Sequence, residues 1–304
     1  MLAAANGDLY AGLASGHIVR IDPATGASTI LAHTGGRPLG MAFDSAGQLI
    51  VADAIKGLLS IAPDGKSTLL LAVSAQGPLH FPNAVAISAN GNIYISDSSM
   101  RFTAEQWGST VEAATLDIME QSSTGRILEW DPSSKAVRTI AQGLSFANGL
   151  VLSMDERALF ASESGKYRVW KIAVDATGLD VAQPSTKARM VFDNLPGYPD
   201  NLTRGDDGRI WLGLSGKRNG LDAMAQRPFL RELALRIPQG LWPTPAPYGH
   251  VIAFTEDGKV VADLQDGGGH SPTTTGATET RSGLYLHNVD GRGLGWLARD
   301  GAAW

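Results

Sequence analysis

Apolar positions along this chain fall into short runs cut by turn residues. One element recurs: a turn residue, two or three β-formers, then a small or acidic residue. It reads Asp8-Leu9-Tyr10-Ala11, Gln48-Leu49-Ile50-Val51, Asn92-Ile93-Tyr94-Ile95, Ala158-Leu159-Phe160-Ala161, Arg209-Ile210-Trp211-Leu212 and Gly283-Leu284-Tyr285-Leu286. A second run follows each, usually opened by glycine: residues 16–21, 57–61, 125–130, 167–172, 249–254 and 293–297. Turn chemistry closes several of them, as in Asp22-Pro23, Pro63-Asp64-Gly65, Asp131-Pro132 and Asp257-Gly258. Strand pairs recurring at a period of about 50 residues predict blades of about four strands each around a channel. The six pairs therefore predict an all-β fold, a six-bladed β-propeller, spanning residues 1–304 as one domain. A β-sandwich with coincidental turns is the bland alternative.

Two gaps interrupt the repeat, at 101–124 and 216–248. The first is rich in helix formers (Ala104-Glu105-Gln106-Trp107, Glu112-Ala113-Ala114). In the second, Pro228 and Pro238 bracket a helix whose apolar side is Phe229, Leu230, Leu233 and Leu235, with Arg227, Arg231 and Arg236 as its cations. These predict short helical insertions over one face. They read either as a cap packed on a blade or as a lid over the channel, with membrane-surface contact through 227–237 a weaker option.

Composition narrows the chemistry. With 43% hydrophobic residues in 304, the chain is long enough for a large core. Its 36 glycines match a turn-rich fold. A net charge of −5 with no Lys/Arg-rich run argues against a nucleic-acid groove. The absence of cysteine excludes disulfides, thiolate zinc sites and a cysteine nucleophile. No apolar stretch reaches the length of a transmembrane segment, and the opening Met1-Leu2-Ala3-Ala4-Ala5 lacks the basic region of a signal peptide. The compartment is left open.

The innermost strands can be aligned on the turn glycines that follow them. Leu39, Asn83, Asn148, Asp200 and Thr275 then occupy equivalent positions. Equivalent positions around a pseudo-sixfold axis converge, so two amides and one carboxylate make an oxygen-rich cage suited to Ca²⁺ rather than zinc. Asn201 adds a further oxygen. The bland reading is that Asn and Asp cap strand ends. The first blade differs, because its inner strand is truncated: the equivalent position falls one residue before Met1.

Several motifs resemble the strictosidine synthase-like proteins, within the wider group of senescence-marker/gluconolactonase hydrolases and paraoxonases. They are Gly36-Arg37-Pro38-Leu39-Gly40, Ile50-Val51-Ala52-Asp53-Ala54, Asn92-Ile93-Tyr94-Ile95-Ser96-Asp97-Ser98-Ser99, Phe146-Ala147-Asn148-Gly149 and Leu195-Pro196-Gly197-Tyr198-Pro199-Asp200-Asn201. The resemblance runs from about residue 8 to 299 and implies a six-bladed propeller. It implies Asn83, Asn148 and Asp200 as calcium ligands, with a first-blade glutamate that this sequence does not contain. The glutamate implied for amine–aldehyde condensation falls on Thr275, and the histidine implied for paraoxonase chemistry falls on Leu39.

The leading expectation is a Ca²⁺-dependent hydrolase of a small-molecule lactone or ester, the metal polarising the carbonyl and Asp200 assisting water. His80 and His270, near channel-end loops, are candidate proton shuttles or ordinary loop residues. Ser96, Ser98 and Ser99 carry no Gly-x-Ser-x-Gly elbow and read as structural. The alternative is a non-catalytic propeller that binds a partner around a structural metal. Amine–aldehyde condensation ranks lower.

Overall fold

A computed structural model describes residues 1–220, 224, 227–237, 248–289 and 293–299. Blade 1 comprises β1 (Leu2–Ala3), β2 (Leu9–Gly12), β3 (His17–Ile21) and β4 (Ser28–His33). Blade 2 comprises β5 (Pro38–Phe43), β6 (Leu49–Asp53), β7 (Gly57–Ile61) and β8 (Ser67–Leu71), and a small hairpin, β9 (Val73–Ser74) with β10 (Gly77–Pro78), follows it. Blade 3 has β11 (Pro82–Ile87), β12 (Ile93–Asp97), β13 (Gly125–Trp130) and β14 (Val137–Leu144). Blade 4 has β15 (Ala147–Leu152), β16 (Ala158–Glu163), β17 (Arg168–Ala173) and β19 (Ala188–Phe192), while β18 (Leu179–Asp180) pairs in parallel back onto β14. Blade 5 has β20 (Gly197–Arg204), β21 (Ile210–Lys217), β22 (Gly249–Phe254) and β23 (Val260–Asp266). Blade 6 has β24 (Thr274–Glu279), β25 (Gly283–Asn288) and β26 (Gly295–Ala298) among the described residues. The fold is the expected six-bladed β-propeller.

The recurring apolar element is the second strand of each blade. Burial on both faces explains why it reads as a continuous run rather than an alternation. In β6, Leu49 and Val51 pack with Ile18 and Met41, whereas Ile50 and Ala52 pack with Val85 and Ile95 of blade 3. The same division repeats around the ring. In β16, Leu159 and Ala161 face Tyr94 and Leu150, and Phe160 faces Ile210 and Phe254. In β21, Trp211 joins Ala277, Leu284 and Leu286 of blade 6. Each blade is thus held by apolar burial against its neighbours, worth about 1.5–3 kcal/mol per large side chain.

Both insertions lie on one face. A second strand ends where its inner strand begins; α1 (Ala104–Trp107) and α2 (Thr110–Glu120) leave from the end of β12, and α3 (Pro228–Leu235) lies between β21 and β22. Thr103 and Ser109 cap α1 and α2 by accepting the amides of Gln106 and Glu112. The buried side of the first pair (Phe102, Ala104, Ala113, Leu116) packs on Phe81, Phe146 and Leu39, across the ends of blades 2, 3 and 4. The helix expected within 227–237 is α3, which packs on α2. Phe229 and Leu233 are 73% and 54% exposed, so part of the expected apolar side faces outward. Pro238 and the stretch 238–247 lie outside the described residues. No helix among the described residues is long and apolar enough to cross a membrane.

Candidate functional site

Every complete inner strand breaks register at the same point. Pairing runs Pro38↔Asp53 then Met41↔Val51 in blade 2, Pro82↔Asp97 then Ala84↔Ser96 in blade 3, and Ala147↔Glu163 then Leu150↔Ala161 in blade 4. It continues as Pro199↔Leu214 then Leu202↔Leu212, and Thr274↔Asn288 then Gly276↔His287. The first residue inside each break is Leu39, Asn83, Asn148, Asp200 or Thr275, so the five aligned positions are structurally equivalent. A β-bulge frees the extra residue from the ladder and re-aims its side chain. Tight blade approach accompanies it: a Cβ on Gly149 would sit 2.3 Å from the Leu202 nitrogen and 2.5 Å from the Asp200 carbonyl oxygen.

A serine at a second common register fixes each axial group. The Asn83 amide donates to Ser98 Oγ at 3.0 Å, and Ser98 Oγ donates to the Ala147 carbonyl of the next blade at 2.5 Å. The Asn148 amide donates to Ser164 Oγ at 3.2 Å, and Ser164 Oγ donates to the Pro199 carbonyl at 2.6 Å. In blade 5 the same place holds Ser215, hydrogen-bonded to Asp200. Each of the first two hydroxyls spends its proton on a carbonyl and so accepts the nitrogen side of its asparagine. That orientation leaves the amide oxygens for the channel, and Asn148 Oδ1 is enclosed with no partner. Ser96 and Ser162 repeat the device, taking the Ala84 and Gly149 amides and donating to the Asn148 and Asp200 carbonyls. Ser99 accepts the Arg101 and Phe102 amides. The serines are structural, as expected.

Asp200 is the axial carboxylate. Desolvation pushes its carboxyl up to about 7, although hydrogen bonds from Ser215, the Asn148 side chain and the Asn201 backbone pull the other way. No salt bridge to Asp200 is present among the described residues. Among them, too, no three His, Cys, Asp or Glu side chains gather, so a cation here would rely on one carboxylate and neutral oxygens. A buried amide oxygen without a donor and a desolvated carboxylate without a counter-charge fit a hard divalent cation. Asn83, Asn148 and Asp200 are the residues that would hold it.

The other candidates sit differently. Asn201 donates its amide to the Thr275 carbonyl at 3.1 Å, tying blade 5 to blade 6. Leu39 packs under the helical cap. His80 is partly buried, and its backbone amide donates to Asp97 at 3.1 Å. The His270 side chain is 88% exposed and faces Asp266 at 3.3 Å. No hydrogen bond among the described residues joins either imidazole to Asp200.

Sequence reasoning missed several buried titratable groups, among them His287 and Asp117. His287 occupies the register of Ser96 and Ser162. Its Nε2 meets Thr278 Oγ1 at 2.7 Å, its Nδ1 is enclosed without a partner, and burial holds the ring well below its usual range. Asp117 on α2 is fully buried, with Oδ1 unpartnered, and desolvation pushes it up to about 6. The polar break in an apolar β25 run marks His287. Asp117 had no sequence signal, because a carboxylate in a surface-length helix reads as solvated.

Comparison with known proteins agrees with this architecture. The sequence model of the SMP-30/Gluconolactonase/LRE-like region matches residues 7–226. Protein strictosidine synthase-like 6 of Arabidopsis thaliana is 33% identical over 289 residues, 93% of this chain and 72% of that protein. The adipocyte plasma membrane-associated protein of Danio rerio is 31% identical over 302 residues, 91% of this chain and 69% of that one. Among solved structures, a gluconolactonase from Xanthomonas campestris superposes with a TM-score of 0.63 at 17% identity, covering 94% of this chain and 80% of its own. Regucalcin from Agrobacterium tumefaciens, described as a calcium-binding protein, gives 0.57 at 16% identity, covering 91% and 76%. At such identities the structural likeness shows the fold.

Proposed function

Because the chain belongs to the SMP-30/gluconolactonase/LRE-like family, we propose that its axial site is that of a Ca²⁺-dependent hydrolase of small lactones or esters. The observation that carries this reading is the set Asn83, Asn148 and Asp200 in one bulge register, with Asn148 Oδ1 unpartnered and Asp200 lacking a cation. Calcium bound there would supply Lewis-acid polarisation of the substrate carbonyl.

The chain's own residues do the rest. Ser98, Ser164 and Ser215 fix the axial side chains before substrate arrives, so little reorganisation is needed. Asp200 orients water by hydrogen bonding and accepts its proton as the water oxygen attacks the carbonyl carbon. The alkoxide that leaves takes up a proton and a lactone opens to its hydroxy acid. A desolvated carboxylate suits that role near neutral pH better than an ordinary one. The helical cap shields the opening from bulk water. The exposed Phe229 and Leu233 near Arg227 and Arg236 support contact of 227–237 with a membrane surface.

A non-catalytic binding module with a structural metal is the second reading, favoured by apolar Leu39 and neutral Thr275 at two axial positions. Thr275 also offers no carboxyl base for amine–aldehyde condensation. The deciding experiment is thermal unfolding in EDTA and in Ca²⁺, beside hydrolysis of gluconolactone and phenyl acetate. Stabilisation by Ca²⁺ with EDTA-sensitive turnover supports the hydrolase. Stabilisation without turnover supports the binding module, and no response to Ca²⁺ removes the metal from both.

A further inference from the structure

The residue two places before each axial position belongs to the rim of the channel on the site face. These residues are Arg37 in blade 2, Phe81 in blade 3, Phe146 in blade 4, Tyr198 in blade 5 and Thr273 in blade 6. Phe81 and Phe146 meet edge to face at 5.3 Å and are buried under the helical cap. Tyr198 is half-buried, its ring 4.8 Å from that of Tyr167. Arg37 alone among these five is charged. The inner strands pack in chain order around the ring, so blade 2 stands across the channel from blade 5 and Asp200.

The backbone of Arg37 is clamped, but its side chain is hardly used. Its amide donates to Asp53 Oδ1 at 2.9 Å, and Pro38 fixes the dihedral that follows. The half-buried guanidinium makes one hydrogen bond, from Nη1 to the Pro38 carbonyl at 3.4 Å, and no ion pair among the described residues. Asp53 is the carboxylate whose charge it feels. Yet Asp53 Oδ1 is taken up by three backbone amides and Oδ2 is enclosed without a partner, so the guanidinium does not bond to it. Burial lowers the pKa of Arg37, with Asp53 opposing, and a guanidinium stays charged regardless. Its charge also acts on the enclosed amino group of Met1, beside β1 of blade 1, which places it inward at the boundary of blades 1 and 2. Lys56 is exposed close by: a Cβ on Gly35 would lie 3.6 Å from its Cε, and it too makes no ion pair among the described residues. A partly desolvated guanidinium with most of its five N–H donors unspent is costly unless an acceptor arrives.

We propose that Arg37 is an anion-recognising group at the mouth of the axial site, and that the substrates taken there carry a carboxylate held on the blade 2 side while the reacting carbonyl faces Asp200. The inference deepens the hydrolase reading and rests on it for the reaction, but not for the binding. A guanidinium presents a planar fork that matches a carboxylate through two parallel hydrogen bonds, and Lys56 adds a mobile point charge beside it. The remaining rim residues, three aromatic and one hydroxyl, offer an anion no comparable partner.

Two measurements separate the inference from its premise. In the first, 4-hydroxybenzoate and 4-hydroxybenzamide are titrated calorimetrically into the protein and into its Arg37→Gln, Arg37→Lys and Lys56→Gln forms. Calcium itself attracts carboxylates, so each titration is run in Ca²⁺ and in EDTA. In EDTA the acid is expected to bind about tenfold tighter than the amide, and Arg37→Gln to remove that preference. Arg37→Lys, which keeps the charge but not the fork, and Lys56→Gln are each expected to retain part of it, and melting temperatures exclude unfolded variants. Equal binding of acid and amide in EDTA, or a preference untouched in folded Arg37→Gln, overturns the proposal. In the second, kcat/KM is compared for 4-acetoxybenzoate and 4-acetoxybenzamide, esters of the same size that differ in charge. A ratio of about ten that falls towards one in Arg37→Gln supports the proposal. A ratio near one in the parent, or one that Arg37→Gln leaves unchanged, refutes it. Arg37-dependent binding of the acid without turnover of either ester leaves the anion site standing and removes the hydrolase reading.

Discussion

Asp200→Asn separates the cost of the axial carboxylate from its use. In the metal-free protein the Asp200 carboxyl is raised from 3.8 to about 7. The folded state therefore favours the protonated form. That stability is fully present below the unfolded value near 4 and is lost as pH rises through 7. Roughly three units correspond to about 4 kcal/mol at most. Partial exposure of the side chain to the channel reduces this to about 1–2 kcal/mol. In EDTA, Asp200→Asn should thus be more stable than the parent at pH 8, by about 1–2 kcal/mol, with the difference vanishing near pH 4. Under the proposed calcium site, added Ca²⁺ is expected to reverse the order. Ligation needs the carboxylate, so protons compete with the metal below 7, and apparent affinity in the parent should fall by about tenfold per pH unit there. Asp200→Asn should show little calcium-induced stabilisation and no hydrolysis. The assay is thermal unfolding from pH 4 to 9, in EDTA and in millimolar Ca²⁺. A variant no more stable than the parent at pH 8 in EDTA, or one that Ca²⁺ stabilises as strongly as the parent, would refute the assignment.

Three further substitutions test the scaffold. Ser164→Ala removes the hydroxyl that orients Asn148 and ties blade 4 to Pro199; it should cost about 1–3 kcal/mol in urea unfolding and about 10- to 100-fold in Ca²⁺ affinity by calorimetry. Gly149→Ala drives a Cβ to within 2.3 Å of the Leu202 nitrogen, with an expected loss of about 3 kcal/mol in chemical denaturation. Asp117→Asn should stabilise the cap: the carboxyl is raised to about 6, so its penalty acts above that pH, and a gain of about 1–2 kcal/mol at pH 8 should fade by pH 4.

The blades were legible because their second strands are buried on both faces. Leu49-Ile50-Val51 and Ile210-Trp211-Leu212 each serve two neighbouring clusters, and double burial leaves a continuous apolar run that recurs with the blade. The bulge register was legible for a related reason: a left-handed turn residue follows these inner strands at a constant distance (Gly91, Glu156 and Gly208), so counting back from it locates Asn83, Asn148 and Asp200. Contacts across blade boundaries were not legible. Nothing local in the sequence says that Asn201 reaches the Thr275 carbonyl, that Ser164 reaches Pro199, or that α2 buries Asp117. The exposure of His270 is of the same kind, since proximity along the chain to an axial residue does not set where a loop side chain points.

Carboxylates of similar sequence context have different partners, and those partners suit them to different roles. Asp53, Asp97 and Glu163 close the second strands of blades 2, 3 and 4, opposite Pro38, Pro82 and Ala147. All three are fully buried, which by itself invites a catalytic reading. Yet Asp53 Oδ1 accepts the amides of Arg37, Ile55 and Lys56, although its Oδ2 is enclosed without a partner. Asp97 accepts those of His80 and Phe81 and pairs with Arg126 at 2.9 Å, and Glu163 takes an amide and an indole. Their charge is already used in clamping the turns on the site face. One register step away, Asp200 has hydroxyl and amide partners but no cation, beside an asparagine oxygen with no partner at all. Unspent charge beside an unspent lone pair is what a ligand can exploit. Removing a clamp such as Asp97 should therefore loosen the fold in calcium and in EDTA alike. Removing Asp200 should matter chiefly when calcium is present.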